Sequence, residues 1–293
     1  MRSLYKIFSD WFSARENAGR VLGMNERNLR YIYVCNSRKD FPLADHKLLT
    51  KDALRRIGVP VPATYKVYSH FYELQDLEAG LAAFPDFVIK PAQGSGGGGI
   101  VVIARREGRN WISVSGKAYS LHDLRRHISD IIFGVHSFDL HDQAIIEERV
   151  VQNSWMSGLS PLGLADIRVI LCRDEPVMSM TRIPTKASNG KANLHQGAIG
   201  VGIDIATGRT VHAIHGDRTI TAHPDTGAPI TGLSIPHWEK VLDVSRKIAR
   251  AVPLKYLGVD IALTEDGVVV LEINVRPGLQ IQNANLRGLR ETL

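Results

Sequence analysis

Three oxygen-bearing side chains near the end of the chain have the types and spacing of a metal site. Asp260, Glu272 and Asn274 lie in two apolar runs. A turn centred on Asp266 would place Asp260 opposite Glu272 across a hairpin, and Asn274, two residues further on, would share their face. Two facing carboxylates repel each other unless a cation lies between them, and oxygen ligands suit Mg²⁺. The pattern therefore fits two interpretations equally well: a magnesium site, or a pair of exposed acids that bond Lys or Arg.

A glycine-rich run at 93–99, QGSGGGG, lies between strands predicted at 87–90 and 100–104. Glycine lets backbone N–H groups wrap phosphate oxygens, and Lys90, at the end of the first strand, is placed to reach a phosphate. The run lacks the Lys-Ser or Lys-Thr of a P-loop, and a strand rather than a helix follows it. It is therefore either a phosphate-binding loop in a hairpin or a mobile surface tip.

Two further stretches carry polar residues near strand ends. In the stretch 145–150, Ile-Ile-Glu-Glu-Arg-Val, backbone groups at a strand end could pair with the edge of an adenine while an acid holds the ribose hydroxyls. The alternative is an ordinary strand that leaves the core. The stretch 181–195 is rich in cations and lies upstream of the hairpin, so it suits the charge on a transferred phosphoryl group. His195 within it is by itself more often structural than catalytic.

These residues need a frame of mixed helices and strands. The apolar periodicity predicts helices at 45–57, from Ser69 to about 83, at 120–132 with Ser120 and Asp123 as a capping box, and at about 237–251. Strands are predicted at 64–68, 87–90, 100–104, 143–149, 167–172, 176–183, 199–204 and 209–214, with a hairpin at 257–274. The alternation has no regular βαβ rhythm, which favours an α+β fold.

Composition restricts the class of protein. The 293 residues are 44% hydrophobic and 23% charged, which is typical of a globular chain of one or two domains. No apolar run approaches the roughly 20 residues that cross a bilayer, and the start lacks a signal-peptide cleavage site. Cys35 and Cys172 lie far apart in apolar settings, which predicts two buried thiols in a cytoplasmic protein.

The first part of the chain is basic. Residues 1–56 hold twelve Lys or Arg against six Asp or Glu, a surplus equal to the net charge of +6 of the whole chain. No aromatic-basic stacking pattern or helix-turn-helix accompanies it, which argues against nucleic acid and favours a solvated basic face. A stripe at helical spacing, consisting of Leu4, Ile7, Phe8, Trp11 and Phe12, is either core or a partner-docking helix, so residues 1–30 are a candidate protein-binding segment.

The order of the motifs is more specific than any one of them. In sequence they are Asp45-His46-Lys47, Gly58 to Pro62, Val88 to Pro91, the glycine run, Glu147-Glu148, Asp166 to Arg168, Asn193 to His195, Asp260, Glu272 to Asn274 and Pro277-Gly278. This ordered set, over about residues 20–285, resembles the ATP-grasp enzymes. Within that superfamily the chain most resembles the RimK-type glutamate ligases, and more closely the alpha-L-glutamate ligase-like proteins.

The resemblance implies a fold of two α+β subdomains that clasp ATP, and it implies roles for particular residues. Nucleotide contacts fall on Lys47, Lys90, Gln93, Gly94, Ser95, Gly96, Gly97, Glu147, Glu148, Val150, Asp166, Lys191 and Asn193. The metal ligands are Asp260, Glu272 and Asn274, for Mg²⁺ with Mn²⁺ as an alternative. Arg168, Arg182 and Arg276 are candidates for steadying the carboxylate substrate or its acyl phosphate.

The resemblance also implies an activity, namely ATP-dependent joining of a carboxylate to an amine, with glutamate or a related amino acid added to a peptide, protein or small-molecule acceptor. The alternative is a nucleotide-binding regulatory module that controls a partner. We expect a helical, basic segment at 1–44 and an ATP-grasp domain at 45–293, divided at 150/151. The family's usual N-terminal domain is expected to be truncated or absent, residues 151–165 to be an inserted lid or partner loop, and an oligomer is compatible with the sequence.

Overall fold

The computed structural model describes residues 19–94, 96–137 and 140–293. The strands in chain order are β1 (Thr64–Tyr68), β2 (Phe87–Pro91), β3 (Val101–Glu107), β4 (Asn110–Ser113), β5 (Ala118–Tyr119), β6 (Ala144–Glu147), β7 (Asp166–Cys172), β8 (Glu175–Ile183), β9 (Ile199–Ile203), β10 (Thr210–His215), β11 (Arg218–Ile220), β12 (Tyr256–Thr264) and β13 (Gly267–Asn274). The apolar stripe at residues 4–12 and Ser95 lie outside the described residues.

The helices pack on these strands. In chain order they are α1 (Met24–Glu26, the π-helical Arg27–Ile32 and Tyr33–Cys35), α2 (Pro42–Asp45), α3 (Lys47–Arg56), α4 (Leu77–Ala82), α5 (Leu121–Ile132), α6 (Ser154–Leu159), α7 (Trp238–Ala251) and α8 (Ile281–Asn285). Short 3₁₀ turns are Arg38–Asp40, Phe71–Asp76, Leu194–Gln196 and Leu289–Glu291. No helix in the described ranges is long and apolar enough to cross a membrane.

Two antiparallel sheets organise the molecule and confirm the α+β prediction. The smaller sheet has the order β1-β6-β2-β3-β4-β5, and the larger has the order β11-β10-β9-β8-β7-β12-β13. The strands on either side of the glycine run, β2 and β3, pair directly, as the hairpin prediction requires. Each sheet buries apolar side chains under its helices, so the chain forms two subdomains.

The small subdomain has its core in one continuous stretch of chain, from Tyr68 to Ile146. Its main helix, α5, begins at the predicted capping box: Ser120 Oγ accepts the Asp123 N–H at 3.2 Å, and Asp123 Oδ2 accepts the Ser120 N–H at 2.9 Å. The helix buries one apolar stripe against the sheet. This subdomain therefore holds β2 and β6, and the glycine run leaves it at the end of β2.

The large subdomain has its core assembled from both ends of the chain. Leu22 and Ile32 lie in the same apolar cluster as Tyr256 and Ile281. The Gln282 side chain accepts the Leu22 N–H at 2.8 Å and donates to Leu22 O at 3.1 Å. Asn36 is buried and similarly bonds the backbone of Tyr256, accepting at 3.0 Å and donating at 2.7 Å. Residues near 20–40 thus form part of the frame that supports β12 and β13.

Three local predictions differ from the structure. The helix expected from Ser69 begins as a 3₁₀ turn at Phe71, because Glu73 accepts the backbone N–H groups of Ser69 and His70 and so tightens the first turn. The helix expected at 45–57 is broken at His46, whose extended backbone separates α2 from α3. The centre of the predicted inserted segment 151–165 does not stand free as a lid, since Met156 is fully buried in the large core, and a partner-binding role for the segment stays a prediction.

Candidate functional site

Lys47 lies at the start of α3 and faces the end of β2. Its ammonium group donates to Gly94 O at 2.6 Å, and its backbone N–H donates to Ala92 O at 2.9 Å. The side chain is nearly buried, and this burial lowers the pKa of Lys47, although the negative charge of Glu272 opposes the shift. The first residue of α3 is therefore fixed to the chain that enters the glycine run.

Lys90 and Glu147 meet on neighbouring strands of the small sheet. Lys90 Nζ lies 2.5 Å from Glu147 Oε1, and both side chains are buried. A second ammonium group, that of Lys51, also bonds Glu147 and donates to Thr64 Oγ1 at 3.0 Å. Burial lowers the pKa of Lys51 to about 8, against the opposing effect of Glu147. We call this group the lysine cluster, which consists of Lys47, Lys51, Lys90 and Glu147.

Lys51 was missed by sequence analysis. It lies one helical turn after Lys47, and that spacing of four residues places both on one face of α3. The spacing of four residues is visible in the sequence, but it places Lys51 at the site only after Lys47 has been assigned to the site. Glu147, which the resemblance places near adenine and ribose, uses its carboxylate for two ammonium groups of the lysine cluster. Its backbone lies inside the small sheet, where it pairs with Thr64 on one side and Val88 on the other.

The glycine run contacts both subdomains. Asp142 is fully buried and accepts the Gln93 N–H at 3.1 Å, which anchors the start of the run. Gly96 O accepts from Asn193 Nδ2 and from Gln196 Nε2, each at 3.3 Å, across the gap between the subdomains. Gln196 is a further contact that sequence analysis did not single out. Together with Lys47 at Gly94, these bonds place the run between the two halves.

The end of the run has a strict requirement for glycine. Gly99 has φ +72°, and a Cβ built on it would lie 2.6 Å from His136 Cδ2. Gly97, at φ +75°, has room for a Cβ, which would lie 3.8 Å from Lys191 Cδ. Lys191 and Asn193 are thus brought to the run although both belong to the other subdomain, and their contact with a phosphate stays a prediction.

The predicted hairpin forms and places Asp260 opposite Glu272, but its turn lies between Thr264 and Gly267 rather than being centred on Asp266, and a β-bulge after Asp260 makes up the difference of one residue. Asp260 on β12 pairs with Glu272 on β13. Asn274 Nδ2 lies 3.3 Å from Asp260 Oδ2 and 3.2 Å from Glu272 Oε1. The three side chains therefore share one face of the large sheet, as the period-two rule requires.

Two arginines occupy the same face. Arg168 on β7 bonds both oxygens of Asp260, at 2.8 and 2.6 Å. Arg182 on β8 bonds both oxygens of Asp166 and also reaches Asp260 Oδ2 at 2.7 Å. These bonds join four adjacent strands in one row, which we call the arginine–carboxylate cluster: Asp166, Arg168, Arg182, Asp260, Glu272 and Asn274.

Electrostatics distinguish the two aspartates of this cluster. Burial alone would raise the pKa of Asp260, but the adjacent charges of Arg168 and Arg182 outweigh it and hold the pKa of this carboxyl below its usual range. Burial raises the pKa of Asp166 to about 6, and the charge of Asp260 adds to that effect while Arg182 opposes it. Asp166 thus lies among the arginines of the large sheet, and its contact with the nucleotide stays a prediction.

The donor set fits a magnesium ion in part. Glu272 Oε2 and Asn274 Oδ1 accept no hydrogen bond from the described residues, whereas both oxygens of Asp260 already do. No three Asp, Glu, His or Cys side chains among the described residues form a metal-binding group by themselves. Mg²⁺ commonly takes one or two carboxylates and completes its shell with phosphates and water. Glu272 and Asn274 meet that requirement, and Asp260 meets it only after an exchange of partners.

The remaining candidates lie further from these clusters. Glu148 is exposed and its carboxylate accepts the Ala63 N–H at 2.8 Å, while Val150 is half-buried at the exit of β6. The Arg276 guanidinium lies 5.0 Å from the centre of the Phe41 ring and 3.7 Å from Asp45 Oδ1. Its contacts are thus with the residues before α3, and it does not join Arg168 and Arg182 on the sheet.

Comparison with known proteins places this geometry in a context. The model of a family described as sugar-transfer associated ATP-grasp matches residues 26–293. No curated protein sequence matches the chain.

Solved structures share the fold. A biotin carboxylase complex from Campylobacter jejuni has 14% identity and a TM-score of 0.54, over 89% of this chain and 46% of that one. A Rhizobium etli pyruvate carboxylase has 14% identity and a TM-score of 0.52, over 89% and 18%. The D-alanyl-alanine synthetase A of Vibrio cholerae O1 has 12% identity and a TM-score of 0.51, over 85% and 62%. The chain spans less than two thirds of the length of each of these proteins.

Proposed function

Because the chain belongs to the sugar-transfer associated ATP-grasp family, we propose that it is an ATP- and Mg²⁺-dependent ligase that joins a carboxylate to an amine. The observation that supports this most is that the lysine cluster and the arginine–carboxylate cluster lie in the two parts of the molecule that the glycine run joins. The glycine run contacts the first through Lys47 and reaches the second subdomain through Asn193. A nucleotide held under the run would have its phosphates between the two clusters.

The small subdomain would bind the nucleotide. Lys47 and Lys90 would contact phosphate oxygens, and the backbone from Gln93 to Gly97 would close over them. The strand end at Glu147, Glu148 and Val150 would offer backbone groups to the adenine. Lys191 and Asn193 would approach the phosphates from the opposite side.

The large subdomain would hold the reacting groups. Glu272 and Asn274 would bind Mg²⁺, which neutralises charge on the phosphates when it is bound, and Mn²⁺ is an alternative with the same oxygen ligands. Arg168 is fixed by two bonds and Arg182 by three, all through Nε and Nη2, and the Nη1 of each has no hydrogen-bond acceptor among the described residues. These two nitrogens would donate to the substrate carboxylate.

The chemistry requires positioning rather than a nucleophilic side chain. A carboxylate oxygen of the substrate attacks the γ-phosphorus of ATP, the bond to ADP breaks, and an acyl phosphate forms. The acceptor nitrogen then attacks the acyl carbon, phosphate leaves, and the nitrogen loses a proton to solvent. Arg168 and Arg182 would stabilise the negative charge that develops on oxygen in both steps.

The substrates are proposed from resemblance. Glutamate or a related amino acid is the first candidate to supply one of the two groups, with a peptide, protein or small molecule as acceptor. The family description associates it with sugar transfer, so amine- or carboxylate-bearing sugars belong among the acceptors to be screened.

One observation favours a second function. Asp260 is fully engaged by arginine, as it could be in a module that binds a nucleotide and controls a partner without turnover. An assay of ADP release with Mg²⁺, across amino acids and the acceptor classes above, separates the two functions. ADP release that depends on both a carboxylate and an amine supports the ligase. Tight ATP binding without ADP release across the whole panel would favour the module.

The matched variants for this assay are Glu272→Gln and Glu239→Gln. Glu272 lies in the arginine–carboxylate cluster, whereas Glu239 is exposed on the first turn of α7. Loss of ADP release in the first variant alone would tie turnover to the proposed site. Equal activity in both variants would contradict the placement of the metal.

A further inference from the structure

Glu147 is a single buried carboxylate that bonds two ammonium groups. The side chains of Lys51, Lys90 and Glu147 are 3%, 8% and 5% exposed. One carboxylate neutralises one of the two cations, so the trio carries a buried formal charge of one positive unit. Buried charge is costly unless something pairs with it, and a trio of this kind is therefore incomplete without an anion.

The two lysines differ in what else they contact. Lys51 has a second bond, to Thr64 Oγ1, so its position on α3 is fixed on both sides. Lys90 has no hydrogen-bond acceptor other than Glu147 among the described residues, and it lies at the end of the strand that leads to the glycine run. The unneutralised charge is therefore free to act through Lys90, on the side where the run begins.

We propose that Lys51 is a positioning residue for nucleotide binding, which acts by sharing Glu147 and so preventing that carboxylate from neutralising Lys90. Without Lys51, Glu147 and Lys90 form a one-to-one ion pair, and Lys90 attracts a phosphate less strongly. This inference rests on the proposed function, because it takes a nucleotide phosphate as the anion that completes the trio.

Other polar and charged groups lie near Lys51 and Lys90 and also affect the charge there, so the experiment must keep them constant. Lys47 lies on the same face of α3, and Arg55 follows Lys51 one turn later. Thr64 contributes a neutral hydroxyl from β1. None of these changes in the variants below, so differences among those variants report the trio.

The experiment is titration of the full-length protein with Mg²⁺–ADP, by calorimetry and by the shift in melting temperature. The variants are Lys51→Met, Glu147→Gln, the double variant, Lys51→Arg, and Lys39→Met as an exposed control. The trio's formal charge is +1 in the wild type and the double variant, zero in Lys51→Met, and +2 in Glu147→Gln. If affinity follows this charge, Lys51→Met weakens ADP binding about tenfold. The double variant and Lys51→Arg return close to the wild type.

The double variant also distinguishes the mechanisms. If Lys51 instead contacted the nucleotide directly, or only held the fold, removing Glu147 as well would not restore affinity. An equal loss in the single and double lysine variants therefore overturns the proposal, as does unchanged affinity in Lys51→Met. Glu147→Gln leaves the largest unpaired charge and is the variant most prone to unfold, but the double variant has no such surplus. Failure of the wild type itself to bind Mg²⁺–ADP would refute the proposed function instead.

Discussion

The lysine cluster and the arginine–carboxylate cluster treat buried charge in opposite ways. The first has three ammonium groups and one carboxylate, and the second has two guanidinium groups and three carboxylates. An added anion completes the first, and an added cation completes the second. A nucleotide with its divalent metal carries both an anionic and a cationic part. The two clusters together therefore complement the charges of one such ligand better than either cluster does alone.

The side chains also differ in rigidity. Lysine is a point charge on a flexible stem, whereas arginine forms paired bonds of fixed geometry with a carboxylate. Arg168 is held by two bonds and Arg182 by three, whereas Lys90 is held by one carboxylate oxygen. We therefore expect the arginine side to be set before ligands arrive and the lysine side to adjust to them.

The largest expected effect breaks the rigid side. Arg182→Met removes the cation that Asp166 and Asp260 share, and an uncompensated buried carboxylate costs about 3–5 kcal/mol of unfolding free energy. Denaturant unfolding of the variant measures it. Arg246→Met is the control, since Arg246 pairs with Glu175 at the surface and its loss should cost less than about 1 kcal/mol. Equal losses in the two variants would show that the row contributes no more than a surface pair.

The next effect concerns the metal. Glu272→Gln removes the carboxylate whose second oxygen is open, so we expect turnover to fall about 100-fold or more while the melting temperature stays close to that of the wild type. Asp260→Asn should instead lower stability, since it weakens the bonds to Arg168 and Arg182. If Asp260→Asn alone abolished Mg²⁺ binding and Glu272→Gln did not, the roles of the two acids would have to be exchanged.

A smaller effect tests the lysine side through pH. Lys51 has a pKa of about 8 in the folded protein and 10.5 when unperturbed, so it loses its proton as the pH rises through 8. ADP binding should then weaken by at most about tenfold per pH unit. Over the same range, from 8 to 10.5, the unfolded chain retains the extra proton, so this group's contribution to the stability of the ligand-free protein rises with pH.

Binding and denaturation measured at pH 7, 8 and 9 check both trends. Lys51→Arg provides the comparison, because arginine stays charged throughout, so a slope that persists comes from other groups such as Lys47, whose pKa burial also lowers. The same slope of binding against pH in Lys51→Arg as in the wild type would rule out Lys51 as its source.

The last effect concerns the stability of the glycine run, which contacts both subdomains. Gly99→Ala places a Cβ against His136 in addition to the strain of its positive φ, and we expect a loss of about 1–3 kcal/mol of stability. Gly108→Ala has a similar φ, +59°, with nothing within 4 Å, and isolates the backbone strain. His136→Ala should relieve the excess cost at Gly99. Equal losses at Gly99 and Gly108, with no relief from His136→Ala, would contradict this account.

The sequence predicted the parts of the site that follow from local geometry. Asp260 lies opposite Glu272 and the period of two places Asn274 beside them, as predicted, although a β-bulge after Asp260 that the sequence did not predict sets this register. The capping box at Ser120 is likewise a local pattern, and it forms as predicted. These features depend on residues close together in the chain.

The parts that the sequence did not predict depend on long-range pairing. Arg168 and Asp260 are 92 positions apart, and Lys51 and Glu147 are 96 apart. No local pattern shows which cation meets which carboxylate. Arg276 was grouped with Arg168 and Arg182 from its place after Asn274, yet it lies against Phe41 because the chain turns away from the sheet after β13. The roles assigned to individual residues remain predictions.

The origin of the two cores has a consequence for the order in which the protein folds. The small core uses one continuous stretch, from Tyr68 to Ile146, so a nascent chain can complete it once that stretch has left the ribosome. The large core waits for Tyr256 and Gln282, which Asn36 and Leu22 bind across more than 200 positions. We therefore expect the Lys90 and Glu147 part of the site, on the small sheet, to form early in synthesis, and the arginine–carboxylate cluster to form only after Tyr256 and Gln282 have been made.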